Sequence, residues 1–472
     1  MKKEGITVCE FEPIKKDISL GGIGERNFAE LKKFVTEYDT YAEKADNGSD
    51  STDVFRICFD RINGEYVKAK NYVGIIQLKN GFRVQILPKL DLSDPEEDEK
   101  RSGFKETKRV FLKMLKTLGY FSPKVFQTAD LETSGGDIYE IFIAMYISSV
   151  ERLVKQGLKS DYSVIEENAN FLKGKMLFNK QVNVNFVHKE KFYVTYDLFS
   201  ENRPENRLIK TALYKLLRIS VSDRNKRDIK RLFPFFENIG LSPDIDNDFS
   251  SVKKDRGMTS YENILVWTKV FLKNESFTAF EGSTGALALL FPMEKLFESY
   301  VAEKVKKTFA MHGYNVTAQE SKYRLLSEVS DGSERGMFSL RPDIVVRKRG
   351  KENESGEAII MDTKWKRLEP DRYKNYGISQ ADMYQMYAYC KEYKKENPST
   401  RYVYVLYPYS KEFAKAVCSP PEFKNFGTPL KNGRKVDAEI EIKTFFIRLY
   451  DEDFAYELLK NIENERIEEQ TT

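Results

Sequence analysis

Two short apolar runs in the C-terminal half of the chain have the length and composition of buried strands. They cover residues 338–346 and 358–365, and both contain charged side chains among aliphatic ones. An amphipathic segment before them predicts a helix over about 291–310. The later patterns predict a helix at about 379–394, strands at 401–407 and near 440–450, and a last helix at 452–464. The predicted order is helix, three strands, helix and strand (αβββαβ).

The N-terminal half shows strand patterns first and helical patterns later. Strands are predicted at 72–79 and 82–87, on either side of Asn80-Gly81, a pair typical of tight hairpin turns. The later patterns predict a helix from residue 110, helices at 138–154 and 207–219, and a strand-like segment at 181–186. We therefore predict a β-rich N-terminal module followed by a mixed, largely helical middle region.

Three charged residues on the two apolar runs are the candidate catalytic set. Asp362 and Lys364 are two residues apart on one predicted strand, so their side chains share a face about 7 Å apart. If the two strands pair as a hairpin, Asp343 converges on them. Mg²⁺ takes oxygen ligands, often one or two carboxylates with water and phosphate completing the shell, so Asp343 and Asp362 are its candidate ligands. The alternative is an ordinary hairpin whose acidic residues form salt bridges.

Three further residues are predicted to support this site. Gln385 and Tyr389 are four residues apart and share one face of a predicted helix with Asp382. Core packing is the alternative role for the tyrosine. Glu298 lies beside the apolar stripe of the preceding helix, where it is either an additional site carboxylate or a solvated surface residue.

Charge and residue usage narrow the function without fixing it. The formal net charge of +4 is too small to establish nucleic-acid binding, but cations crowd the predicted site. Among them, Lys366, Arg367 and Arg372 are candidates for contacts to a DNA backbone. With two histidines in the chain, a histidine-based nuclease or zinc site is disfavoured. The sequence contains no phosphate-binding loop, so we expect this chain to bind no nucleotide.

Composition predicts the compartment. The chain is 41% hydrophobic and 32% charged, which is typical of a folded protein, and it has no apolar run near the roughly 20 residues of a membrane span. Its four cysteines have neither metal-ligand spacing nor the density of a disulfide framework. We therefore predict no membrane association and a cytoplasmic location.

The motifs resemble those of known nucleases. The pattern Pro-Asp…Asp-x-Lys at 342–364 resembles the PD-(D/E)xK superfamily, in which a Gln-x(3)-Tyr helix often flanks the site. In chain order, eight segments look like the McrC family: 72–76 (YVGII), 86–90 (ILPKL), 172–175 (LKGK), 205–210 (ENRLIK), 296–298 (LFE), 341–343 (RPD), 362–364 (DTK) and 384–389 (YQMYAY). One departure from the family pattern is a polar extension at 350–356, which we expect to lengthen a loop and leave the site intact.

The resemblance implies a function. McrC is the nuclease subunit of McrBC-type restriction systems, which cut double-stranded DNA containing 5-methylcytosine. It implies that Asp343 and Asp362 bind Mg²⁺ and that Lys364 assists the attacking water, with no covalent enzyme intermediate. It also implies a McrB-like AAA+ GTPase oligomer as partner, engaged and stimulated by the N-terminal region, with GTP bound on that partner.

The expected fold class is α/β (α+β) and multidomain. We assign 1–165 to a β-rich partner-binding region, 166–280 to the middle region with a linker near 242–258, and 281–472 to a PD-(D/E)xK nuclease domain with a restriction-endonuclease-like core. Two alternatives remain open. The first is a stand-alone PD-(D/E)xK nuclease of another restriction or repair system, and the second is a non-catalytic adaptor of an AAA+ motor.

Overall fold

The computed structural model describes most of the chain. It covers residues 5–45, 54–62, 64–78, 80–90, 99–118, 138–252, 259–273, 287–330, 333–349, 358–396, 400, 402–417, 419–424 and 440–471. The predicted extension at 350–356 and the second part of the predicted linker, 253–258, lie outside these ranges. Within them, no helix combines the length and apolarity needed to cross a membrane.

Strands and helices are interspersed along the described chain. The strands are β1 (Gly5–Cys9), β2 (Pro13–Lys15), β3 (Phe55–Asp60), β4 (Gly64–Ala69), β5 (Tyr72–Gln77), β6 (Arg83–Leu87), β7 (Asp161–Ala169), β8 (Lys175–Met176), β9 (Phe192–Ser200), β10 (Leu287–Pro292), β11 (Tyr314–Ala318), β12 (Arg324–Ser330), β13 (Ser333–Ser339), β14 (Ile344–Lys348), β15 (Ala358–Thr363), β16 (Tyr402–Pro408), β17 (Glu422–Lys424) and β18 (Glu441–Ile447). The helices are α1 (Glu25–Ala45), α2 (Glu99–Leu115), α3 (Ile138–Gln156), α4 (Phe178–Val184), α5 (Pro204–Ile219), α6 (Asp223–Leu232), α7 (Ile245–Ser251), α8 (Thr259–Lys273), α9 (Met293–Met311), α10 (Gln380–Glu396), α11 (Lys411–Ala416) and α12 (Phe454–Thr471).

The N-terminal sheet has the order β1-β6-β5-β10. The predicted hairpin is confirmed: β5 and β6 pair antiparallel, and Gly81 between them has a φ of 82°. Gly74 lies in β5 where β10 passes closely, and a Cβ there would lie 1.9 Å from the carbonyl oxygen of Leu289. This close approach explains why the strand contains a glycine. Because β10 pairs with β5, a strand assigned to the nuclease domain completes the N-terminal sheet.

The N-terminal region contains more helix than predicted. Helix α1 places apolar side chains at helical spacing, and Phe28, Leu31, Phe34 and Val35 are all buried. Helix α2 begins at Glu99 instead of near residue 110, whereas α3 confirms the helix predicted at 138–154. The region is therefore mixed α/β, and the prediction of a β-rich module was wrong in this respect. The domain boundaries themselves stay predictions.

The middle region corrects a second prediction. The segment predicted as strand-like at 181–186 begins in helix α4, and β8 pairs with β9 instead. The side chains of Val182 and Val184 are both exposed. Gln181 holds the helix in place, because its side chain donates to the carbonyl oxygen of Lys191 at 2.8 Å.

The first part of the predicted linker is folded. Asp244 caps α7, since its side chain accepts hydrogen bonds from the next helical backbone amides. From that helix Asp248 pairs with Arg207 of α5 through two hydrogen bonds, and the aspartate is buried. This ion pair attaches residues 245–251 to the helical middle region.

The C-terminal sheet has the order β11-β14-β15-β16-β18-β17. β15 runs antiparallel to β14 and parallel to β16. Alternate residues of β15 supply two cores: Ile359 and Met361 join the core that includes α9, and Ala358 and Ile360 join the core that includes α10. The predicted element order is present in this half of the described chain, with the β12–β13 hairpin inserted between β11 and β14.

Candidate active site

Asp343 and Asp362 face each other at one end of a strand pair. Because Ile344 is paired with Met361 in this antiparallel ladder, the residues one step outward are Asp343 and Asp362. Asp343 is held by its neighbour: its Oδ2 accepts hydrogen bonds from the backbone N–H of Thr363 at 2.7 Å and from the Thr363 hydroxyl at 2.6 Å. Asp362 is only 2% exposed. The convergence expected from the sequence is therefore present.

Lys364 completes the predicted catalytic set. Its Nζ lies 2.9 Å from Oδ2 of Asp362 and 3.8 Å from Oδ1 of Asp382. It also donates a hydrogen bond to Oε1 of Gln385 at 3.1 Å. The ammonium is thus fixed between strand β15 and helix α10, on the face that the alternation of the strand predicted.

The two predicted helix residues connect Lys364 to the segment just before β14, which contains Asp343. Gln385 donates through Nε2 to the hydroxyl of Tyr389 at 2.7 Å, and that hydroxyl donates to the carbonyl oxygen of Arg341 at 3.0 Å. Tyr389 is also buried in the core beneath α10. Its ring packs in that core, as the alternative proposed, while its hydroxyl bonds to the backbone near Asp343; a supporting role in catalysis stays a prediction.

Glu298 lies at the edge of the site on helix α9. Gln319 links Glu298 to Asp343. Its side-chain amide donates to Oε1 of Glu298, and its backbone N–H donates to the carbonyl oxygen of Asp343 at 2.9 Å. Burial raises the pKa of Glu298, and the charge of Asp343 raises it further. The glutamate is half-buried. It lies close to Asp343 and is not fully solvated, and its role as a site carboxylate stays a prediction.

The electrostatics of the cluster favour an added cation. Burial, and then the charge of Asp343, raise the pKa of Asp362 from 3.8 to about 7, although Lys364 opposes this rise. Burial also raises the pKa of Asp343 against the two hydrogen bonds from Thr363. Burial lowers the pKa of Lys364, but the nearby carboxylates outweigh it and the net direction is upward. Negative charge is thus in excess at a dry position.

The donor set fits Mg²⁺ better than a metal held entirely by protein. Oδ2 of Asp362 is buried and accepts no hydrogen bond of regular geometry from the described residues; the ammonium of Lys364 is its nearby cation. The described residues contain no group of three or more His, Cys, Asp or Glu side chains placed to hold a metal. Two carboxylates are nevertheless enough for Mg²⁺, which keeps several waters and binds substrate phosphate.

The three cations predicted to contact DNA differ in their surroundings. Lys366 and Arg372 are exposed. Arg367 instead donates to the carbonyl oxygen of Lys89 at 2.7 Å, so its guanidinium is directed to the N-terminal region. Contacts to a DNA backbone stay predictions for all three.

Two residues near the site were not singled out from the sequence. Thr363 lies inside the Asp-x-Lys motif, and only the strand register shows that it holds Asp343. Gln319 is adjacent to Asp343 in space but carries no sequence signal. Its φ of 46° is uncommon for a residue other than glycine, and it marks a sharp change of direction after β11.

Comparison with known proteins identifies the family. A family profile described as McrBC 5-methylcytosine restriction system component matches residues 67–408. The chain belongs to this family. The Type IV methyl-directed restriction enzyme EcoKMcrBC of Escherichia coli (strain K12) is 23% identical over 284 residues, which cover 57% of this chain and 76% of that protein. The resemblance to McrC inferred from the motifs is confirmed.

A solved McrBC structure shows a similar architecture. A chain in the refined half-complex from the tetradecameric assembly of Thermococcus gammatolerans McrB AAA+ hexamers with bound McrC matches with a TM-score of 0.62 and 18% identity. The match covers 97% of this chain and 100% of that one, so the two share a mixed α/β multidomain fold. The cryo-EM structure of the Thermococcus gammatolerans McrBC complex gives a TM-score of 0.46 at 20% identity over 63% of this chain and 85% of that one.

Proposed function

We propose that this chain is the Mg²⁺-dependent endonuclease subunit of a methylcytosine-dependent restriction system. The observation that carries the proposal is the meeting of Asp343, Asp362 and Lys364 at one end of the β14–β15 pair. The surrounding sheet, with α9 on one face and α10 on the other, is consistent with a PD-(D/E)xK core. Membership of the McrBC family supports DNA as the substrate and double-stranded cleavage as the reaction.

The residues of the site have separate tasks in this mechanism. Asp343 and Asp362 would hold Mg²⁺, which when bound acidifies a water molecule and screens charge on the scissile phosphate. Lys364 stabilises the negative charge that develops on the phosphoryl oxygens as the water attacks. Gln385 and Asp382 hold the lysine ammonium at a fixed position, so it needs little rearrangement as that charge forms. Glu298 adds a third carboxylate at the edge of the site.

An exposed apolar surface supports the proposed partnership with a McrB-like AAA+ GTPase. It lies on the long hairpin formed by β7 and β9, including residues 171–187 between the two strands. Several large side chains there are more than half exposed: Tyr162, Val164, Phe171, Leu172, Phe178, Val182, Val184, Phe186, Val187 and Phe199. Concentrations of exposed apolar side chains usually mark interaction sites. The hairpin begins at Asp161, so this surface extends from the predicted partner-binding region into the middle region. In this proposal GTP binds to the partner.

Cleavage assays test the proposed function. Methylated and unmethylated plasmids are incubated with Mg²⁺ and GTP, with and without the McrB-like protein, using wild type and Asp362→Ala. We expect wild type to cut methylated DNA only with the partner and GTP, and the variant to assemble with the partner without cutting. Loss of the complex in Asp362→Ala would show that Asp362 is structural. Cutting by the chain alone would favour a stand-alone nuclease, and GTPase stimulation without any cutting would favour an adaptor.

A further inference from the structure

A buried carboxylate of the N-terminal sheet lies beside the proposed active site. Glu10 follows the last residue of β1 and is only 1% exposed. Both of its carboxylate oxygens accept from the indole N–H of Trp365, at 3.1 and 3.2 Å. Its Oε1 also accepts from the backbone N–H of Lys89 at 3.0 Å. A buried carboxylate is costly unless it is hydrogen-bonded, so these contacts define one orientation for the side chain.

A second hydrogen bond ties the same two segments together. Arg367 donates through Nη2 to the carbonyl oxygen of Lys89 at 2.7 Å. The backbone of Lys89 thus donates to Glu10 and accepts from Arg367. Trp365 and Arg367 therefore attach the chain that leaves β15 to the end of the N-terminal sheet, although the two segments are far apart in sequence.

Trp365 connects this attachment to the catalytic residues. It directly follows Lys364, and its ring packs on Phe297 with the centroids 5.3 Å apart. Phe297 in turn precedes Glu298. The backbone N–H of Lys364 donates to the carbonyl oxygen of Leu406 at 2.9 Å, and that of Lys366 donates to the carbonyl oxygen of Lys364 at 2.9 Å, so Trp365 is the central residue of a tight turn. Fixing the indole therefore fixes this turn and, with it, the backbone from which the Lys364 side chain extends.

We propose that Glu10 is a positioning residue of the nuclease site: by holding the indole of Trp365 it aligns Lys364 with Asp362. The inference rests on the proposed function for its catalytic consequence. It couples the N-terminal sheet to the active site, so a movement of the end of β1 changes the placement of the lysine ammonium. Glu10 itself touches neither substrate nor metal.

Cleavage kinetics with four variants test the role. Glu10→Ala removes the acceptor, Glu10→Gln keeps an acceptor oxygen, and Trp365→Phe keeps a ring on Phe297 without the indole N–H. We expect kcat to fall roughly tenfold or more in Glu10→Ala and Trp365→Phe, because small displacements of catalytic groups cost on the order of 100-fold. We expect KM for DNA to change little, Glu10→Gln to restore most of kcat, and Glu10→Ala/Trp365→Phe to lose no more than either single variant.

Asp248→Ala is the matched control, since it removes another buried acidic partner of an N–H donor at a remote position. A general loss of stability lowers the melting temperature in both Asp248→Ala and Glu10→Ala, but only the positioning role lowers kcat per folded molecule. Equal kcat values for wild type and Glu10→Ala, or additive losses in the double variant, would overturn the inference.

A second readout does not depend on cleavage. The rate of acylation of Lys364 by acetic anhydride, measured by mass spectrometry, reports the surroundings of its ammonium. We expect this rate to change severalfold in Glu10→Ala and Trp365→Phe, and not in Asp248→Ala, with half-buried Lys215 unchanged as an internal standard. An unchanged Lys364 rate overturns the inference. A changed rate in a protein that cuts under no condition supports the positioning while the proposed nuclease function fails.

Discussion

Replacing Asp362 with asparagine should abolish cleavage and, without metal, stabilise the fold. The carboxyl pKa rises from 3.8 to about 7 on folding because the group is buried beside Asp343. At pH 8 the ionised aspartate therefore costs about 4 kcal/mol relative to the unfolded chain, since each pKa unit corresponds to about 1.4 kcal/mol. Water entry and local relaxation make this figure an upper limit. The asparagine side chain would have nearly the same shape without the charge.

The sign of the effect depends on pH. A carboxyl whose folded pKa is raised contributes stability below its unfolded pKa and loses it as pH rises through the folded value. The advantage of Asp362→Asn should thus grow as the pH rises from 5 to 8, to about 4 kcal/mol at most. Added Mg²⁺ should stabilise wild type by binding its folded state and should stabilise the variant much less.

Urea denaturation in EDTA at pH 5 and pH 8 measures the prediction. Asp248→Asn is the control, because Asp248 is also buried but is paired with Arg207, which holds its pKa below the usual range against the effect of burial. This control should be destabilised. If Asp362→Asn is destabilised to a similar extent, the ion pair with Lys364 is structural and the reasoning from excess negative charge fails.

Four further variants test other parts of the structure. Glu10→Gln should remove one source of pH dependence from the free energy of unfolding. Burial raises the pKa of Glu10 from 4.5 to about 7, so wild-type stability should fall as the pH rises through that interval. Urea titrations of the variant should not show this fall. Gly74→Ala should destabilise the fold by more than about 2 kcal/mol in urea denaturation, because its Cβ meets Leu289, whereas Gly81→Ala, where only φ is strained, should cost about 1 kcal/mol. Phe199→Ser should reduce stimulation of the partner GTPase and leave the melting temperature of the free chain within a few degrees of wild type, because this side chain is mostly exposed.

The convergence of the proposed catalytic residues could be predicted because its geometry is local. Asp362 and Lys364 are fixed relative to each other by the two-residue repeat of one strand. Asp343 needed one further assumption, the hairpin pairing of two apolar runs, and the register confirms it. The predicted flanking helix does cross the same face of the sheet, and its Gln385 accepts a hydrogen bond from Lys364 that the sequence did not predict. Each step joined neighbouring elements, for which sequence periodicity carries most of the information.

Exposed apolar residues explain a local failure of the same method. At 181–186 the alternation of apolar residues has the period of a strand, yet the segment begins as a helix whose valines are exposed. Periodicity predicts secondary structure because the chain's own core imposes it. Where apolar side chains face outward, that constraint is absent, and the pattern reflects something other than intramolecular burial. An interface with another protein is a direct source of such a pattern, which is how we interpret this surface.

The contact of Glu10 with Trp365 shows where prediction from one sequence stops. The two residues are separated by 355 positions, and neither lies in a motif whose chemistry requires the other. A lone glutamate after a short strand most often predicts a solvated residue. Here burial instead depends on two strand ends, β1 and β6, meeting the chain that leaves β15. Such a contact is set by how the N-terminal and C-terminal sheets pack together, and for that reason a substitution at residue 10 is expected to act on a lysine at residue 364.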